Sequence, residues 1–277
     1  MSWTVTAEPE PYSEAVLPLL SKDPAGNTVG LTVLDAISRG QRWGADPMTL
    51  GWFTEPDGTV TGAVSMTPPF GLLLNQVPEP ALAPLVDALR SGDVAVPSVN
   101  GVGPLARRFA ELWGGRSEVQ MANRLFELGT LAWPDPMPAG SARLVTVADL
   151  DLAEAWILAF KDEAEPDAPA TPRAMLADRI ERELFWFWLD AEGTPVSLAG
   201  RNTATAGVSR VGPVYTPRSE RGHGYAAAAT AVCSRHALDT DSDKVILFTD
   251  IENPTSNGIY QRLGYRPLHD RLVLKLS

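Results

Sequence analysis

Apolar and polar positions along the chain predict the same series of elements twice. In residues 1–131, and again in residues 141–277, helical periodicity comes first and is followed by two alternating strand patterns. The two strands are separated by a glycine turn, Pro56-Asp57-Gly58 in the first half and residues 190–193 in the second. In both halves the pattern continues as strand, helix, strand, helix and strand. The sequence therefore predicts an α/β chain of the α+β type, made of two similar units in tandem.

These elements can be assigned to segments of the chain. The predicted helices are 13–20, 31–38, 81–89, 104–113, 147–160, 174–183 and 226–237. The predicted strands are 48–54, 59–67, 71–75, 94–96, 120–129, 184–189, 194–201, 211–215 and 271–276.

An aromatic run marks one of these strands. At strand period, Phe185 and Phe187 face one side, and Trp186 and Trp188 face the other. The run predicts a central strand buried on both faces, in preference to an aromatic cage for a cationic substrate.

The two halves are separated by a proline-rich segment at residues 132–140. Three prolines and a glycine in this segment cannot continue a helix or a central strand. We therefore predict a first domain at 1–131, a linker at 132–140 and a second domain at 141–277, each large enough for a core of its own.

Composition narrows the class of protein. Of the 277 residues, 44% are hydrophobic and 21% are charged, which is typical of a folded chain. The formal net charge of −11 disfavours nucleic acid and anionic membranes as partners, and it is compatible with a cationic amine. Residues 1–20 lack the pattern of a signal peptide, and no apolar run reaches membrane-spanning length. We expect a cytoplasmic protein, either a monomer or a homodimer.

Cysteine and histidine usage excludes two further kinds of site. Cys233 is the single cysteine of the sequence, so no disulfide framework forms within the chain, and we expect it to be a small buried helix residue. The histidines have no zinc-like spacing, and we expect no metal.

A glycine turn in the second half is a candidate phosphate site. Residues 221–226 read Arg-Gly-His-Gly-Tyr-Ala, directly after an apolar run and directly before an alanine-rich helical run. The start of a helix has unpaired N–H groups and a partial positive charge, which favour an anion. Gly222 and Gly224 allow a close approach of the backbone, and Arg221 adds a positive charge.

A second motif follows about thirty residues later, with Asn253, Ser256 and Tyr260, and then Gly264-Tyr265. With both motifs in this order, residues 141–277 resemble the GNAT superfamily of N-acetyltransferases. Arg221, Gly224 and Ala226 fill the family's pattern of Arg or Gln, two residues, Gly, one residue, and Gly or Ala. Asn253, Ser256 and Tyr260 fill its Asn-x-x-Ser…Tyr block, and Gly264-Tyr265 replaces the usual Gly-Phe.

The resemblance implies a fold, a cofactor and a reaction. It implies tandem GNAT-like domains, each a mixed, mostly antiparallel sheet flanked by helices. The cofactor is then acetyl-CoA, with coenzyme A as product, and a small-molecule primary amine attacks the thioester in a ternary complex. The residues assigned to the cofactor are Val214, Tyr215, Thr216, Arg221, Gly222, His223, Gly224, Tyr225, Ala226, Asn253, Ser256, Asn257 and Tyr260.

The resemblance also assigns roles in catalysis. A backbone N–H of Val214 or Tyr215 contacts the thioester oxygen, and Tyr260 is the catalytic acid that protonates the leaving thiolate. Two structural alternatives stay open. Tyr260 could simply pack on the sulfur, and Asn253 could cap a helix, since Pro254 suits a first helical position.

The general base is not evident from the sequence. The strand before the glycine turn contains no carboxylate, although the family often has a glutamate there. Candidates elsewhere are Glu163, Glu165, Asp250 and Glu252, and an ordered water chain is an equal alternative.

The first half has no comparable turn, since residues 74–78 read Leu-Asn-Gln-Val-Pro. If this half is a degenerate GNAT repeat, it does not bind acetyl-CoA in the family manner and instead shapes the substrate site. The alternative is an α/β partner domain unrelated to the family.

Other functions of the whole chain also remain open. One is acetylation of a protein amine, and another is a non-catalytic acyl-CoA-binding or regulatory module. A dinucleotide-binding oxidoreductase fits poorly, because the glycine turn continues as Tyr-Ala-Ala and lacks the third glycine.

Overall fold

The computed structural model describes residues 1–164 and 170–277. The chain forms two compact units. The first unit contains Met1–Leu125, Thr249–Glu252 and Leu268–Ser277, and the second unit contains Phe126–Phe248 and Asn253–Pro267.

The elements of the N-terminal half follow in chain order. They are β1 (Ser2–Thr6), α1 (Pro9–Leu20), α2 (Thr28–Ser38), β2 (Thr49–Thr54), β3 (Val60–Met66), β4 (Leu72–Gln76), α3 (Leu82–Ser91), β5 (Ser98–Val102), α4 (Gly103–Trp113) and β6 (Ser117–Leu128).

The elements of the C-terminal half continue the series. They are β7 (Ser141–Leu144), α5 (Leu150–Ala164), α6 (Arg173–Glu181), β8 (Phe185–Leu189), β9 (Pro195–Arg201), β10 (Val208–Tyr215), α7 (Tyr225–Thr240), β11 (Lys244–Asp250), α8 (Pro254–Arg262) and β12 (Tyr265–Leu276). None of the described helices is long and apolar enough to cross a membrane.

The two halves share one order of elements: strand, two helices, three strands, helix, strand, helix, strand. This order confirms the predicted tandem fold class. It also adds the opening strands β1 and β7, which the sequence analysis did not predict. Both are short, and their residues are mostly exposed or half-buried, so neither has the apolar alternation of an inner strand.

Strand pairing is mixed and mostly antiparallel, as predicted. In the first unit β1, β2, β3 and β4 pair antiparallel in sequence, and β4 pairs with β5 in parallel. In the second unit β7, β8, β9 and β10 pair antiparallel, and β10 pairs with β11 in parallel. The parallel step in each unit follows from the crossover helix, α3 or α7, between the two strands.

One predicted strand is wrong. Residues 94–96 lie in irregular backbone, and the strand is β5, at Ser98–Val102. Val96 is apolar because it packs into the core. Pro97 lacks an N–H donor, so the strand begins only after it.

The last residues of the chain belong to the first unit. Residues 271–275 of β12 pair antiparallel with β5, and Leu272, Leu274 and Leu276 enter the core that α3 and α4 cover. The sequence analysis placed residues 271–276 in the second half.

The aromatic run forms a central strand of the second unit, as predicted. Phe185 and Phe187 lie in a core with residues of α5 and α6, while Trp186 and Trp188 pack on the alanine-rich face of α7. All four side chains are buried. Cys233 of α7 is also buried, and burial raises the pKa of its thiol to about 12, which suits a packing residue and not a nucleophile.

Candidate functional site at the turn between β10 and α7

Strand β10 separates from its parallel neighbour before it ends. Its ladder with β11 runs from Val208, opposite Lys244, to Val211, opposite Leu247. On the other side β10 continues to pair with β9 as far as Tyr215, after an irregularity between Val211 and Val214. Gly212 has φ 151° at this point. Pro213, the next residue, has no N–H to donate.

The break leaves one edge of β10 without a strand partner at residues 212–215, within the described parts of the chain. An extended ligand with amide groups can add to such an edge as a strand does. Val214 and Tyr215, two of the predicted cofactor residues, lie on this stretch.

The glycine turn presents backbone donors, as its sequence suggests. Gly222 and Gly224 have φ values of 87° and 84°, in the left-handed region that favours glycine, and α7 begins at Tyr225. Among the described residues, Ala228 is the first donor of the helix, to the Gly224 carbonyl at 3.1 Å. The N–H groups of residues 222–227 have no acceptor in that part of the chain. Residues 221–224 are exposed, so these donors are accessible.

Thr216 connects this turn to the strands. Its hydroxyl lies 2.8 Å from the hydroxyl of Ser197 on β9, and its carbonyl accepts a hydrogen bond from Nε of Arg221 at 2.9 Å. Thr216 is buried. Thr216 therefore anchors the turn and orients Arg221. These contacts give it a structural role, whereas the sequence analysis assigned it to the cofactor.

Arg221 already has an anionic partner in the protein. Its Nη2 lies 2.7 Å from Oε2 of Glu163, and Nε of Arg218 lies 3.4 Å from Oε1 of the same carboxylate. The hydrogen bond from Arg221 is the main cause that holds the pKa of Glu163 below its usual range. A carboxylate in this state accepts a proton poorly near neutral pH, which argues against Glu163 as the general base.

His223 and Tyr225 stack on each other, with ring centroids 5.5 Å apart. The imidazole of His223 is exposed on the turn, and the ring of Tyr225 is half-buried. The pair borders the donors of the turn. Ala226, the last predicted residue of this motif, lies half-buried in the first turn of α7.

Asn253 is the cap of α8. Its Oδ1 accepts a hydrogen bond from the backbone N–H of Ser256 at 3.0 Å, and Pro254 is the first helical residue. Nδ2 of Asn257 donates to the Asn253 carbonyl at 2.8 Å. The capping alternative is therefore realised in the structure, while Ser256 and Asn257 remain half-buried on the first turn of the helix.

Tyr260 is half-buried beside two aromatic rings. Its centroid is 6.5 Å from that of Phe126 and 6.0 Å from that of Tyr265. Burial raises the pKa of Tyr260 to about 12, so the phenol is protonated at neutral pH and can donate. Within residues 1–164 and 170–277 its hydroxyl has no hydrogen-bond partner. The hydroxyl of Tyr265, in contrast, pairs with that of Ser234 at 2.6 Å.

The remaining candidate bases are Glu165, Asp250 and Glu252. Glu165 is outside the described residues. Asp250 ends β11, and its Oδ1 accepts from the N–H of Glu252 at 2.8 Å. Both residues belong to the first unit. The contact between Glu163 and Arg221 had no signal in the sequence, because 58 positions separate the two residues.

Comparison with known proteins identifies a family over part of the chain. Residues 150–265 match the model of the acetyltransferase (GNAT) family. This match covers the open edge of β10, the glycine turn, α8 and Tyr260, and it confirms the resemblance for the second half. A search of curated protein sequences found no match.

Solved structures share the fold over nearly the whole chain. A Drosophila protein has a TM-score of 0.65 at 12% identity, over 99% of this chain and 98% of its own. A GCN5-related N-acetyltransferase from Sphaerobacter thermophilus has a TM-score of 0.62 at 17% identity, over 98% and 94%. A GCN5-related N-acetyltransferase from Kribbella flavida has a TM-score of 0.52 at 23% identity, over 89% of this chain and 95% of its own. At these identities the likeness establishes the fold, first half included.

Proposed function

From the premise that residues 150–265 are an N-acetyltransferase domain of the GNAT family, we propose that this protein transfers the acetyl group of acetyl-CoA to a primary amine of a small molecule. The amine attacks the thioester directly, in a ternary complex. The observation that carries the proposal is the open edge of β10 next to the unpaired N–H groups of residues 222–227.

The glycine turn fits the diphosphate of the cofactor. The unpaired N–H groups of residues 222–227 lie at the positive end of α7, and the neighbouring Arg221 has a side chain that is 47% exposed. Arg221 exchanges the Glu163 carboxylate for the diphosphate when the cofactor binds. The pantetheine arm then adds to β10 at residues 212–215 as an extra strand.

Acetyl-CoA supplies an acyl group activated as a thioester. An N–H of Val214 or Tyr215 donates to the oxygen that becomes negative when the amine attacks. A preorganised backbone donor of this kind stabilises the transition state by roughly 3 kcal/mol.

Tyr260 donates a proton to the leaving sulfur. With its pKa at about 12, donation to a thiolate of ordinary basicity is uphill by roughly 5 kcal/mol, since a thiol has a pKa of about 8.5. The buried environment that raises the pKa of the phenol also raises the pKa of a thiol placed beside it, so the difference between the two pKa values becomes smaller. The attacking amine loses its proton to water, since β10 carries no carboxylate beside the thioester.

The first unit does not bind acetyl-CoA in this manner. Its β4 separates from β5 in a similar way, because their ladder ends at Leu73 opposite Asn100. The following turn has Pro78 and no glycine, and α3 begins only after a short 3-10 turn at Glu79–Ala81. It therefore lacks a glycine turn that could present adjacent donors to a diphosphate.

The proposal is tested by binding and turnover on the full chain. Acetyl-CoA at 100 times its Kd stabilises the protein by about 2.7 kcal/mol, which thermal unfolding detects as a higher Tm. Arg221→Glu weakens this response. Release of free thiol with a panel of small amines and amine-bearing peptides then separates a small-molecule enzyme, a protein acetyltransferase and a binding module. A Tm that does not respond to acetyl-CoA would refute the proposal, and binding without thiol release would reduce it to a binding module. A cytoplasmic location and a monomeric or homodimeric state remain predictions.

A further inference from the structure

The first unit buries an arginine that has no carboxylate partner among the residues that the structure describes. Arg271 of β12 is only 6% exposed. Its Nε and Nη2 both donate to one oxygen, Oδ1 of Asn100 on the paired strand β5, at 3.3 and 3.1 Å. Across residues 1–164 and 170–277, these two contacts are the only hydrogen bonds of its guanidinium, and no ion pair is formed. The N–H groups on Nη1 and one on Nη2 therefore remain available.

The nearest carboxylate in the sequence is committed to another residue. Asp270 accepts two hydrogen bonds from Arg124, at 2.7 and 2.9 Å, and neighbouring residues of a strand point to opposite faces. The second unit provides a comparison, since Arg201 is 3% exposed and lies 2.7 Å from Asp241. A buried cation without a counter-charge costs free energy that folding alone does not recover.

A second donor-bearing side chain stands on the same face of β12. His269 is two residues before Arg271, and its Nε2 is buried without a hydrogen-bond partner among the described residues. Burial first, and the charge of Arg271 second, lower the pKa of His269, while the carboxylates of Asp23 and Asp270 act in the opposite direction. Burial lowers the pKa of Arg271 to about 10.

This face is distinct from the apolar core of the unit. Leu272 and Leu274, which alternate with Arg271, pack against α3 and α4 on the other face. On the face of Arg271, Val102 lies opposite it in the ladder and Val273 follows, and both are half-buried. The two strand neighbours of Arg271 on this face are therefore apolar and partly open to solvent.

We propose that Arg271, with Asn100 and His269, forms a binding site in the first unit for the carboxylate or phosphate group of a small molecule. Asn100 orients the guanidinium by holding its Nε edge. The free edge of Nη1 and Nη2 offers two parallel donors, the geometry that binds a carboxylate or phosphate in bidentate fashion. Nε2 of His269 adds a third polar contact when that nitrogen carries the proton.

The test compares anion binding in the wild type and three variants of the full chain. Inorganic phosphate and acetate are titrated separately at constant ionic strength, and binding is followed by the chemical shifts of the His269 imidazole, which report on this face of β12 and not on the glycine turn. We expect a saturable response to at least one anion. The anion with the lower Kd identifies the ligand group as a phosphate or a carboxylate. We expect Arg271→Met to remove the response. Lys275→Met is the matched control, because it removes an exposed positive charge from the same strand, and it leaves the response unchanged. Arg221→Gln also leaves it unchanged, which excludes the glycine turn of the second unit as its source.

Stability separates a ligand site from a purely structural arginine. If Arg271 serves a ligand, Arg271→Met keeps or raises the Tm without anions, because it removes an uncompensated buried charge. If Arg271→Met does not fold, Arg271→Lys replaces it in the test. Lysine keeps the positive charge but lacks the planar guanidinium that donates two parallel hydrogen bonds. We therefore expect the Kd of the anion to rise at least about tenfold. A wild type without a saturable response, or a response that Arg271→Lys leaves unchanged, would overturn the proposal.

Discussion

At the scale of single residues, the site is controlled by charges that meet only in the folded chain. Arg221 is exposed enough to meet a ligand, but Glu163 holds it in the free protein. The same contact holds the pKa of Glu163 below its usual range. In the proposed complex, Glu163 thus competes with the incoming diphosphate for one guanidinium.

Removal of this competitor tightens cofactor binding. In Glu163→Gln the carboxylate is neutral, so Arg221 is free and a repulsion against the diphosphate disappears. Both side chains are partly exposed, which limits the gain to about 1 kcal/mol, or a Kd for coenzyme A roughly fivefold lower. Isothermal titration calorimetry measures it. Glu154→Gln, on the same helix and with the same change in charge, is the control, and an equal gain there would point to net charge alone.

Tyr260 separates turnover from binding. Tyr260→Phe keeps the ring that packs on Phe126 and Tyr265 but removes the donor. We expect kcat to fall about 100-fold while the Kd of coenzyme A changes little. Tyr265→Phe is the control, since it loses a hydrogen bond to Ser234 at a cost of about 1 kcal/mol in stability without loss of kcat. Similar kcat values for wild type and Tyr260→Phe would remove the acid role.

The same residue makes a prediction about pH. Because burial raises the pKa of Tyr260 to about 12, the phenol is still protonated at about pH 10. The profile of kcat against pH should therefore show no loss from this group between about pH 7 and pH 10. For stability the sign is the same: the stabilisation that accompanies the raised pKa is present below about pH 10 and is lost as the pH rises through 12. An alkaline limb below pH 9 that Tyr260→Phe abolishes would contradict the assignment.

At the scale of elements, the turn into α7 depends on backbone conformation more than on space. A Cβ on Gly222 would meet no atom within 4 Å, and the nearest atom to one on Gly224 is Pro138, at 3.8 Å. Both residues have positive φ, however, so a side chain is strained there whatever the space.

Gly224→Ala should therefore destabilise the protein by about 1–2 kcal/mol and weaken cofactor binding, because the donors of residues 222–227 move. Gly258→Ala is the matched control. Gly258 lies inside α8 with helical backbone, and the atom near its added Cβ is the flexible end of Arg262. We expect this control to raise stability by about 0.5–1 kcal/mol. Thermal unfolding compares the two, and equal effects would refute the argument.

Local sequence patterns predicted these elements well, and their failures have physical reasons. The glycine turn, α7 and the aromatic strand depend on residues that are neighbours in the sequence, so their patterns are readable. The strand predicted at residues 94–96 was wrong because these residues are apolar without being part of a strand, and β5 begins only at Ser98. Burial in a core and participation in a ladder are different requirements, and Val96 meets only the first. Asn253 fitted two roles in the sequence, and only the hydrogen bond to Ser256 showed that it caps α8.

At the scale of the whole molecule, the C-terminal strand complicates the division into halves. Residues 268–277 belong to the first compact unit, where Leu272, Leu274 and Leu276 are buried. Stability of the first unit therefore depends on the last residues of the chain.

A segment limited to residues 141–277 should behave poorly in isolation. Without the first unit, Leu272, Leu274 and Leu276 at the end of β12 are uncovered. An exposed apolar strand associates with other copies of the segment. We expect aggregates in size-exclusion chromatography, and less aggregation when Leu272, Leu274 and Leu276 are all replaced by serine. A monodisperse, folded 141–277 segment would contradict this view of the first unit.

The sequence by itself determined the repeat of elements, the mixed sheets, the glycine turn and the resemblance of the second half to the GNAT family. These features depend on alternation and on conformations such as positive φ, which neighbouring residues impose directly. The tertiary structure alone decided that Glu163 holds Arg221, that β12 ends in the first unit, and that the buried Arg271 donates to Asn100. These depend on which charges and edges meet after the chain has closed contacts over 58 to 171 positions, and no local pattern encodes that distance.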